Sequence, residues 1–373
     1  MRVLNSLSDL NVSRILRLIW LEKKISRVDI ASRLSMDKST VTKITSELFE
    51  KGMIREAESG ESGPQGGRKP VFIELNGDYS AVGGIEINSE KLNCSVLDFS
   101  GDSIFEHAEE INIDEYKTLG LIGFFEKAFL IISKFAKENK IKLAGIGVGL
   151  PGLIDAPNGK VVSSIPLGID EVVEFSREAS SIAKVPVYLD NDARCSCYTE
   201  NLLFDSSSVA KNMMYVLTQH RPQTLKKKSP KNLSVGFSFI LNGKIYHGAN
   251  STAGEFRSML WNAKSKNQFS AGINNVESLE DEKAVLPVFK ELSKNVAFLV
   301  NTLNIDVVYV GGLKEKYSEQ IVKLINKEIK YLWPYEPNEN LIVKSATIAD
   351  NVVSTGAAVL VLDKLFSVPD ISL

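Results

Sequence analysis

The chain has 373 residues, 44% of them apolar, and a formal net charge of −2. This length and apolar content exclude a disordered chain and predict two or three domains with buried cores. The charge is uneven, because residues 1–75 carry thirteen Lys or Arg and ten Asp or Glu, whereas the remainder carries 31 and 36. A mildly basic N-terminal part attached to an acidic body is typical of a nucleic-acid-binding module joined to a second domain.

The cysteine usage indicates a reducing compartment. Cys94, Cys195 and Cys197 give an odd number without a CxxC pair, which favours neither a disulfide framework nor a zinc cluster. No run of 18 uncharged apolar residues occurs in the sequence. We therefore expect a cytoplasmic protein that is neither exported nor membrane-spanning.

The first two predicted helices lie within the first 34 residues. Apolar side chains between Val12 and Trp20 recur with helical spacing, and this first helix is expected to end near Lys24. Ser26 is expected to cap a second, short helix through Leu34, with Asp29 in the capping-box position.

A third helix is predicted directly after a tight turn at Ser35–Asp37. It is expected to run from about Lys38 to Lys51 and to end at Gly52, because glycine readily adopts the left-handed conformation that ends a helix. Two short helices joined by a three-residue turn predict a helix-turn-helix.

The third helix carries a candidate DNA-reading surface. The side chains off its apolar face offer hydroxyl and ammonium groups to phosphates and to base edges in a major groove. These side chains are Lys38, Ser39, Thr40, Thr42, Lys43 and Ser46. The alternative is that they only solvate the helix, and the surrounding helix-turn-helix pattern favours DNA reading.

A wing is predicted after the third helix. Probable strands at Met53–Ala57 and Val71–Leu75 flank a glycine-rich stretch that ends in Arg68, Lys69 and Pro70. A slim cationic segment of this kind suits a narrow minor groove, where Arg and Lys are attracted by the enhanced negative potential. The alternative is a flexible, solvated linker.

The body of the chain reads as an α/β fold. Strands are predicted at Ala81–Asn88, Lys91–Asp98 and Ile104–Ile111, which form a three-stranded meander. A helix is expected near Thr118–Glu138 and a strand at Leu143–Gly149, and helices and strands alternate from there to the end.

Several short motifs follow one another along nearly the whole chain. The motifs are Ser26-Arg27-Val28-Asp29-Ile30-Ala31, Ser39-Thr40-Val41-Thr42, Gly67-Arg68-Lys69-Pro70, Gly145–Gly152 with Asp155, Asp190-Asn191-Asp192-Ala193, Gly248-Ala249, Ala253-Gly254-Glu255 and Gly311-Gly312. Each motif alone is unspecific, whereas their joint order and spacing are specific. Through them the chain resembles the ROK family of repressors and sugar kinases, in its DNA-binding branch.

The resemblance implies a winged helix-turn-helix followed by a two-lobed, actin/hexokinase-like domain that closes on a sugar. We accordingly expect residues 1–77 to form the DNA-binding domain, with 59–70 as its wing or linker. Residues 78–190 together with 355–373 are expected to form the first lobe. Residues 191–354 are expected to form the second lobe, which includes a dimerisation surface.

The resemblance also implies functional residues. Ser26 and Arg27 match the family's helix-turn-helix and join the candidate DNA contacts. Asp192 matches the aspartate that acts as the base in the kinases of the family, Asn191 would bind a neighbouring sugar hydroxyl, and Glu255 matches the family's sugar-binding glutamate. The alternatives are a helix cap for Asn191 and Asp192, and a solvated loop carboxylate for Glu255.

Two departures from the family pattern bear on the chemistry. The nucleotide hairpin reads Glu86-Ile87-Asn88-Ser89-Glu90, which offers phosphate extra negative charge and fewer backbone amides, so ATP binding is disfavoured. Gly311-Gly312, which would lie under the adenine in a kinase, is interpreted as a strand-to-helix turn.

The second departure concerns zinc. Glu255 is followed by Phe256-Arg257-Ser258 without the family's histidine, and Met259–Asn275 contains no Cys or His. Zinc needs about four nitrogen or sulfur ligands, so we expect no metal and no other cofactor. Arg257 is a candidate contact to an anionic group of a sugar, with a surface ion pair as the alternative.

These features predict a sugar-responsive transcriptional regulator of carbohydrate metabolism genes, most simply a repressor, and not an enzyme. We expect it to bind double-stranded, palindromic operator DNA as a homodimer or larger assembly, and to bind a small sugar or sugar derivative between its lobes. The rival interpretation is a ROK-type sugar kinase with an added DNA-binding domain. A scaffold without a ligand is a third.

Overall fold

The computed structural model describes residues 7–57, 71–204, 210–222, 225, 231–265, 267–270, 276–335, 341–347 and 350–367. The predicted wing 59–70, with Arg68 and Lys69, lies outside these residues. Among the described helices, none combines the length and the apolar character needed to cross a bilayer.

The N-terminal domain consists of three helices and a small antiparallel sheet, which confirms the predicted helix-turn-helix. Its elements in chain order are α1 (Leu7–Glu22), β1 (Ile25–Ser26), α2 (Arg27–Leu34), α3 (Lys38–Glu50), β2 (Ile54–Glu56) and β3 (Phe72–Leu75). The sheet order is β1-β3-β2. The first helix ends two residues before the predicted Lys24, and the other two have their predicted bounds within one residue.

Local chemistry explains these helix ends. The Ser26 side chain accepts a hydrogen bond from the Asp29 amide at 3.1 Å, so it caps α2 as predicted. Gly52, with φ of 69°, lies directly beyond the C-cap Lys51 and turns the chain away from α3.

The first lobe is built on a five-stranded mixed sheet. Its elements are β4 (Ala81–Ile87), β5 (Lys91–Asp98), β6 (Ser103–Glu110), α4 (Ile113–Glu138), β7 (Leu143–Leu150), β8 (Leu153–Asp155), β9 (Lys160–Ser163), α5 (Phe175–Ala183) and β10 (Val187–Asn191). The sheet order is β10-β7-β4-β5-β6. The predicted meander forms its antiparallel half, and β7 and β10 run parallel to β4.

The start of α4 differs from the prediction. The helix begins at Ile113, five residues before the expected Thr118, because the Asn112 side chain accepts the amides of Asp114 and Glu115 at 2.9 and 3.2 Å. Gly120 adopts φ of 64° inside this span and marks a break. The glycine obscured the first turn of the helix in the sequence pattern.

The second lobe holds another five-stranded sheet and long helices. The elements that follow β10 are α6 (Asp192–Thr199), β11 (Met213–Pro222), β12 (Lys231–Leu241), β13 (Lys244–Ile245), α7 (Glu282–Leu303), β14 (Val307–Gly311), α8 (Glu315–Leu332) and β15 (Ile342–Ser345). The last helix, α9 (Val352–Phe366), follows β15 and returns to the first sheet. The sheet order is β13-β12-β11-β14-β15. Gly312 adopts φ of 90° in the turn from β14 to α8, and a Cβ there would lie 2.4 Å from the carbonyl oxygen of Thr218.

The last helix, α9, is buried against the first sheet. Glycines on two central strands allow this contact, because a Cβ at Gly84 would lie 1.9 Å from the carbonyl oxygen of Ser354. A Cβ at Gly147 would lie 1.8 Å from the carbonyl oxygen of Ala357. Real side chains never approach backbone this closely, so α9 packs directly on the backbone of the sheet.

The DNA-binding domain shares an apolar core with the first lobe. The ring of Trp20 on α1 lies 5.2 Å from that of Phe366 on α9, and Phe366 lies 5.1 Å from Phe99. The Lys23 ammonium also donates to the carbonyl oxygen of Ser100 at 3.0 Å. The helix-turn-helix is therefore docked on the lobe through buried side chains.

Candidate functional site

The predicted reading surface on α3 is open to solvent. Lys38, Ser39, Thr42, Lys43 and Ser46 are exposed, and Thr40 is half-buried. The opposite side of the helix is buried in the domain through Val41, Ile44 and Leu48. The fold thus presents one continuous strip of hydroxyl and ammonium groups, which is the chemistry that phosphates and base edges require.

Ser26 and Arg27 have partners inside the DNA-binding domain. The Ser26 hydroxyl is buried and donates to the Asp29 carboxylate at 2.6 Å. The Arg27 Nε donates to the Thr45 hydroxyl at 3.1 Å, and its guanidinium lies 5.3 Å from the centre of the Phe49 ring. Arg27 thus joins α2 to α3, whereas Ser26 caps α2, and contact of either side chain with DNA stays a prediction.

The cleft between the lobes contains the predicted sugar-binding pair at the junction of β10 and α6. Asn191 is the N-cap of α6, since its Oδ1 accepts the Ala193 amide at 2.9 Å, and its Nδ2 donates to the carbonyl oxygen of Gly152 at 3.2 Å. Asp192 Oδ1 accepts the same amide at 2.9 Å. The helix cap that the sequence left open is therefore present. Each carboxylate or amide oxygen can accept more than one hydrogen bond, so the sugar contact of these side chains stays a prediction.

Burial controls the charge of Asp192. Its side chain is almost fully enclosed, and this desolvation raises its pKa, although Arg221 opposes the effect. The Arg221 Nη2 lies 3.4 Å from Asp192 Oδ2, which is a long ion pair between two buried groups. Glu86 lies nearby and also has a raised pKa, because it is buried and close to Asp192. The Arg221 guanidinium thus opposes the rise in pKa of two buried carboxylates, Asp192 and Glu86.

A second buried ion pair underlies the site and was missed in the sequence. Arg194 Nε donates to Asp190 Oδ1, and Arg194 Nη2 donates to the carbonyl oxygen of Ile154 at 3.2 Å. His247 Nε2 lies 3.3 Å from Asp190 Oδ2. Burial opposes the ionisation of Asp190, but the charges of Arg194 and His247 outweigh it and hold the pKa of this carboxyl below its usual range.

This pair holds α6 and the loop after β13 in place. Asp190 and Arg194 stand four residues apart, and that spacing was the one signal in the sequence that could have identified them. The contacts of Arg194 with Ile154 and of His247 with Asp190 join residues 40 and 57 positions apart. Such long-range contacts are set by the fold and leave no local pattern.

Glu255 and Arg257 lie on the loop beyond β13. Glu255 is paired with Gly236 of β12 in an isolated bridge, and desolvation together with the charge of Asp192 raises its pKa although part of the side chain is exposed. The charge of Asp192 therefore acts on the carboxyl of Glu255. The guanidinium of Arg257 stacks over the Trp261 ring at 4.3 Å, an arrangement that the sequence did not predict.

Hydrogen bonds organise the segment that follows Glu255. The Ser258 hydroxyl accepts the Leu260 amide at 3.1 Å and an Asn295 amide proton at 3.2 Å. The Ser270 hydroxyl donates to Glu291 at 2.6 Å. Among the described residues, no group of three or more His, Cys, Asp or Glu has an arrangement suited to a metal.

The hairpin between β4 and β5 contacts the adjoining ends of β11 and β12 across the cleft. Ser89, between β4 and β5, donates to the carbonyl oxygen of Pro222 at 2.9 Å. Glu90 beside it pairs with Lys231 at the start of β12. These contacts join the two lobes at the place where the sequence predicted a defective nucleotide hairpin.

Comparison with known proteins agrees with this architecture. The model of the ROK family matches residues 82–268, which is half of the chain, and the model of the MarR family matches residues 11–61. The xylose repressor of Caldicellulosiruptor bescii is 24% identical over 98% of this chain and 98% of its own length. The N-acetylglucosamine repressor of Escherichia coli is 27% identical over 66% of this chain and 56% of its own length.

Solved structures share the fold at lower identity. A ROK family transcriptional regulator, a homolog of the Escherichia coli protein Mlc, superposes with a TM-score of 0.71 at 16% identity, covering 96% of both chains. A ROK family glucokinase from Streptomyces griseus, solved with glucose and AMPPNP, has a TM-score of 0.57 at 15% identity and covers 75% of this chain and 99% of its own.

Proposed function

Since this chain belongs to the ROK family, we propose that it is a sugar-responsive, DNA-binding transcriptional regulator that represses carbohydrate metabolism genes in the cytoplasm. One observation carries the proposal: an exposed DNA-reading helix belongs to a domain that shares a buried core with the first lobe of a sugar-binding fold. A ligand that changes the position of the lobes therefore also changes the position of the reading helix.

The nature of the effector follows from the cleft and from the relatives. Carboxylates and amides at Asn191, Asp192 and Glu255 suit sugar hydroxyls, which both donate and accept hydrogen bonds. The relatives include a xylose repressor and an N-acetylglucosamine repressor. We propose a sugar of this size as effector, bound so that it weakens the hold on DNA. The stacked Arg257 keeps an anionic sugar among the candidates.

The mechanism requires a difference between two conformations. A sugar can shift the equilibrium only if it binds one arrangement of the lobes better than the other. A palindromic operator needs two reading helices about one DNA turn apart, so we propose a homodimer that forms through the second lobe, 191–354. The burial of α9 against the first sheet supports the assignment of residues 355–373 to the first lobe.

We propose that the protein does not phosphorylate its sugar. The hairpin Glu86–Glu90 carries two carboxylates, and its tip is joined to the second lobe at Pro222 and Lys231, which leaves an incoming nucleotide few free amides. Kinases do occur among the structural neighbours. Sugar-dependent ATP hydrolysis by the wild-type protein that is lost in Asp192→Asn would establish the rival function.

The deciding experiment measures binding of the full-length protein to the DNA upstream of its own gene at two salt concentrations, with a scrambled DNA as control. Neutral, acidic and phosphorylated sugars are added in turn. Preference for the natural DNA that one sugar weakens is the expected result. Equal, salt-sensitive binding to both DNAs without a response to any sugar would refute the proposal.

A further inference from the structure

The exposed face of α3 combines lysines with short hydroxyl side chains. Apart from lysine, the side chains that form paired hydrogen bonds with guanine or adenine in a major groove are Arg, Asn and Gln. None of these three residue types occurs in α3, which the structure describes over its whole length. Discrimination between base sequences by this helix must therefore depend on its lysines and on small groups.

Thr42 lies at the centre of this exposed face. Ser39 precedes it by three residues and Ser46 follows it by four, so the three exposed side chains share one face of the helix. The two serine side chains are small, which allows the helix to approach the floor of a major groove closely. Thr42 is thus placed to meet a base edge in the middle of the contact.

The hydroxyl group of Thr42 is turned back onto its own helix. Its Oγ1 donates to the carbonyl oxygen of Lys38, four residues earlier, at 2.8 Å. This hydrogen bond selects one of the two χ1 rotamers that threonine adopts in a helix. Because the hydroxyl proton is already donated, it is not available to an acceptor on a base. The methyl group remains for an apolar contact.

Thymine is the one base that presents an apolar group, its C5 methyl, in the major groove, and a threonine methyl group is suited to contact it. We propose that Thr42 is a specificity-determining residue that recognises a thymine in each operator half-site through contact between the two methyl groups. This inference rests on the proposed function and names the base that the reading helix selects. The neighbouring Lys38 and Lys43 supply charge for phosphates, so affinity and base selection depend on different side chains.

The test uses the DNA upstream of the gene in two forms. Amplification with dUTP in place of dTTP removes every thymine methyl group and keeps the base pairing. Binding of the full-length protein to each form is measured by fluorescence anisotropy at two salt concentrations. The thymine form is expected to bind at least about four-fold tighter, which is the effect of withdrawing one methyl group from water. This ratio should not change with salt, because the contact carries no charge.

Two outcomes of this measurement separate the inference from the proposed function. Equal affinity for the thymine and uracil forms, with the natural sequence still preferred over a scrambled one, would overturn the methyl contact and leave the proposed function intact. Equal affinity for natural and scrambled thymine DNA would refute both.

Two changes at Thr42 distinguish the methyl contact from a change in DNA shape. Thr42→Ser keeps the hydroxyl that bonds to Lys38 and removes the methyl group, so the ratio of affinities for thymine and uracil DNA should fall to about one. Thr42→Val removes the hydroxyl and keeps the methyl group, so it should retain the wild-type ratio. The same ratio in wild type and Thr42→Ser would assign the preference to DNA shape and overturn the proposal.

Thr118 provides a matched control. It is exposed on α4, and its hydroxyl donates to the carbonyl oxygen of Asp114, four residues earlier, at 3.0 Å. Thr118→Ser removes the same methyl group from the same kind of helical contact, and we expect it to keep the wild-type ratio. If the ratio fell equally in Thr118→Ser and Thr42→Ser, the effect would come from the loss of a helical threonine in general, and the base contact would be ruled out.

Discussion

Arg17 on the first helix and Asp363 on the last helix form an ion pair, with 2.6 Å between Nη1 and Oδ1. Their side chains are 33% and 18% exposed, so the pair lies at the rim of the buried contact between the DNA-binding domain and the first lobe. Pairs of this exposure contribute only about 0.2–1 kcal/mol to stability. We therefore expect this pair to affect the orientation of the reading domain more than the stability of the fold.

Removal of this ion pair is expected to weaken the coupling between effector binding and operator binding. Asp363→Asn is expected to change the free energy of unfolding by less than about 1 kcal/mol, yet to reduce the ratio of operator affinities without and with the effector. The ratio is measured by fluorescence anisotropy with labelled operator. Glu315→Gln, at the exposed start of α8, is the matched control. A full sugar response in Asp363→Asn would show that the ion pair is dispensable for signalling.

The aromatic contact beside this pair predicts a large effect on stability. Trp20 is 1% exposed and packs on Phe366, so Trp20→Ala should cost about 3–5 kcal/mol through lost burial and an unfilled cavity. Chemical denaturation measures it. Tyr331→Ala, at a side chain that is 82% exposed, should stay within about 0.5 kcal/mol of wild type. A small loss in Trp20→Ala would mean that the two domains are not joined by this core.

The reading helix predicts a specific salt dependence. Lys43→Ala is expected to weaken operator binding and to reduce the slope of log affinity against log salt by about 0.9, because one phosphate contact is lost. Lys134→Ala, an exposed lysine on α4, removes the same charge far from the reading surface and should leave the slope unchanged. Equal slopes in wild type and Lys43→Ala would remove Lys43 from the DNA contacts.

The buried pair of Asp190 and Arg194 predicts an asymmetric response to mutation. Arg194→Ala should destabilise the protein by about 3–5 kcal/mol, because it leaves a buried carboxylate without its partner. The double variant Asp190→Asn with Arg194→Met removes both charges and should cost less than the single change. Urea denaturation of wild type, Asp190→Asn, Arg194→Met and the double variant tests this. A loss of stability in the double variant equal to the sum of the losses in Asp190→Asn and Arg194→Met would argue against a coupled pair.

The raised pKa of Glu86 predicts how stability depends on pH. Its folded pKa lies above the ordinary 4.5, mainly because burial disfavours the charged form. Between 4.5 and the raised value, the folded state binds more protons than the unfolded state, so the stabilisation is full below 4.5 and is lost as the pH rises through the raised pKa. The difference in unfolding free energy between wild type and Glu86→Gln should therefore fall with rising pH in this window. A flat difference would contradict the shift.

The sequence predicted the DNA-binding domain well because its signals are local. The helical spacing up to Trp20, the cap at Ser26 and the stop at Gly52 each act within a few residues, and α2 and α3 have their expected bounds. The alternating strands of the first lobe gave the meander for the same reason. Where a local signal was ambiguous, as at Gly120 in α4, the helix start was misplaced.

The cleft was only partly predictable. Motif positions identified Asn191, Asp192 and Glu255, and in the structure the charge of Asp192 acts on the carboxyl of Glu255. The partners of these groups come from distant strands: Arg221 lies 29 residues from Asp192 in sequence. A pairing of this kind depends on how two sheets are placed, which neither spacing nor composition encodes.

The burial of α9 on Gly84 and Gly147 has a mechanical consequence. A helix that touches the backbone of two strands cannot slide over them. We therefore expect the first sheet, α9 and the docked reading domain to move together as one rigid unit. Helix α9 begins at the cleft with Val352 and ends at the reading domain with Phe366. Its fifteen residues span about 22 Å along the helix axis. We therefore expect a small closure of the cleft to displace α3, the proposed DNA-reading helix.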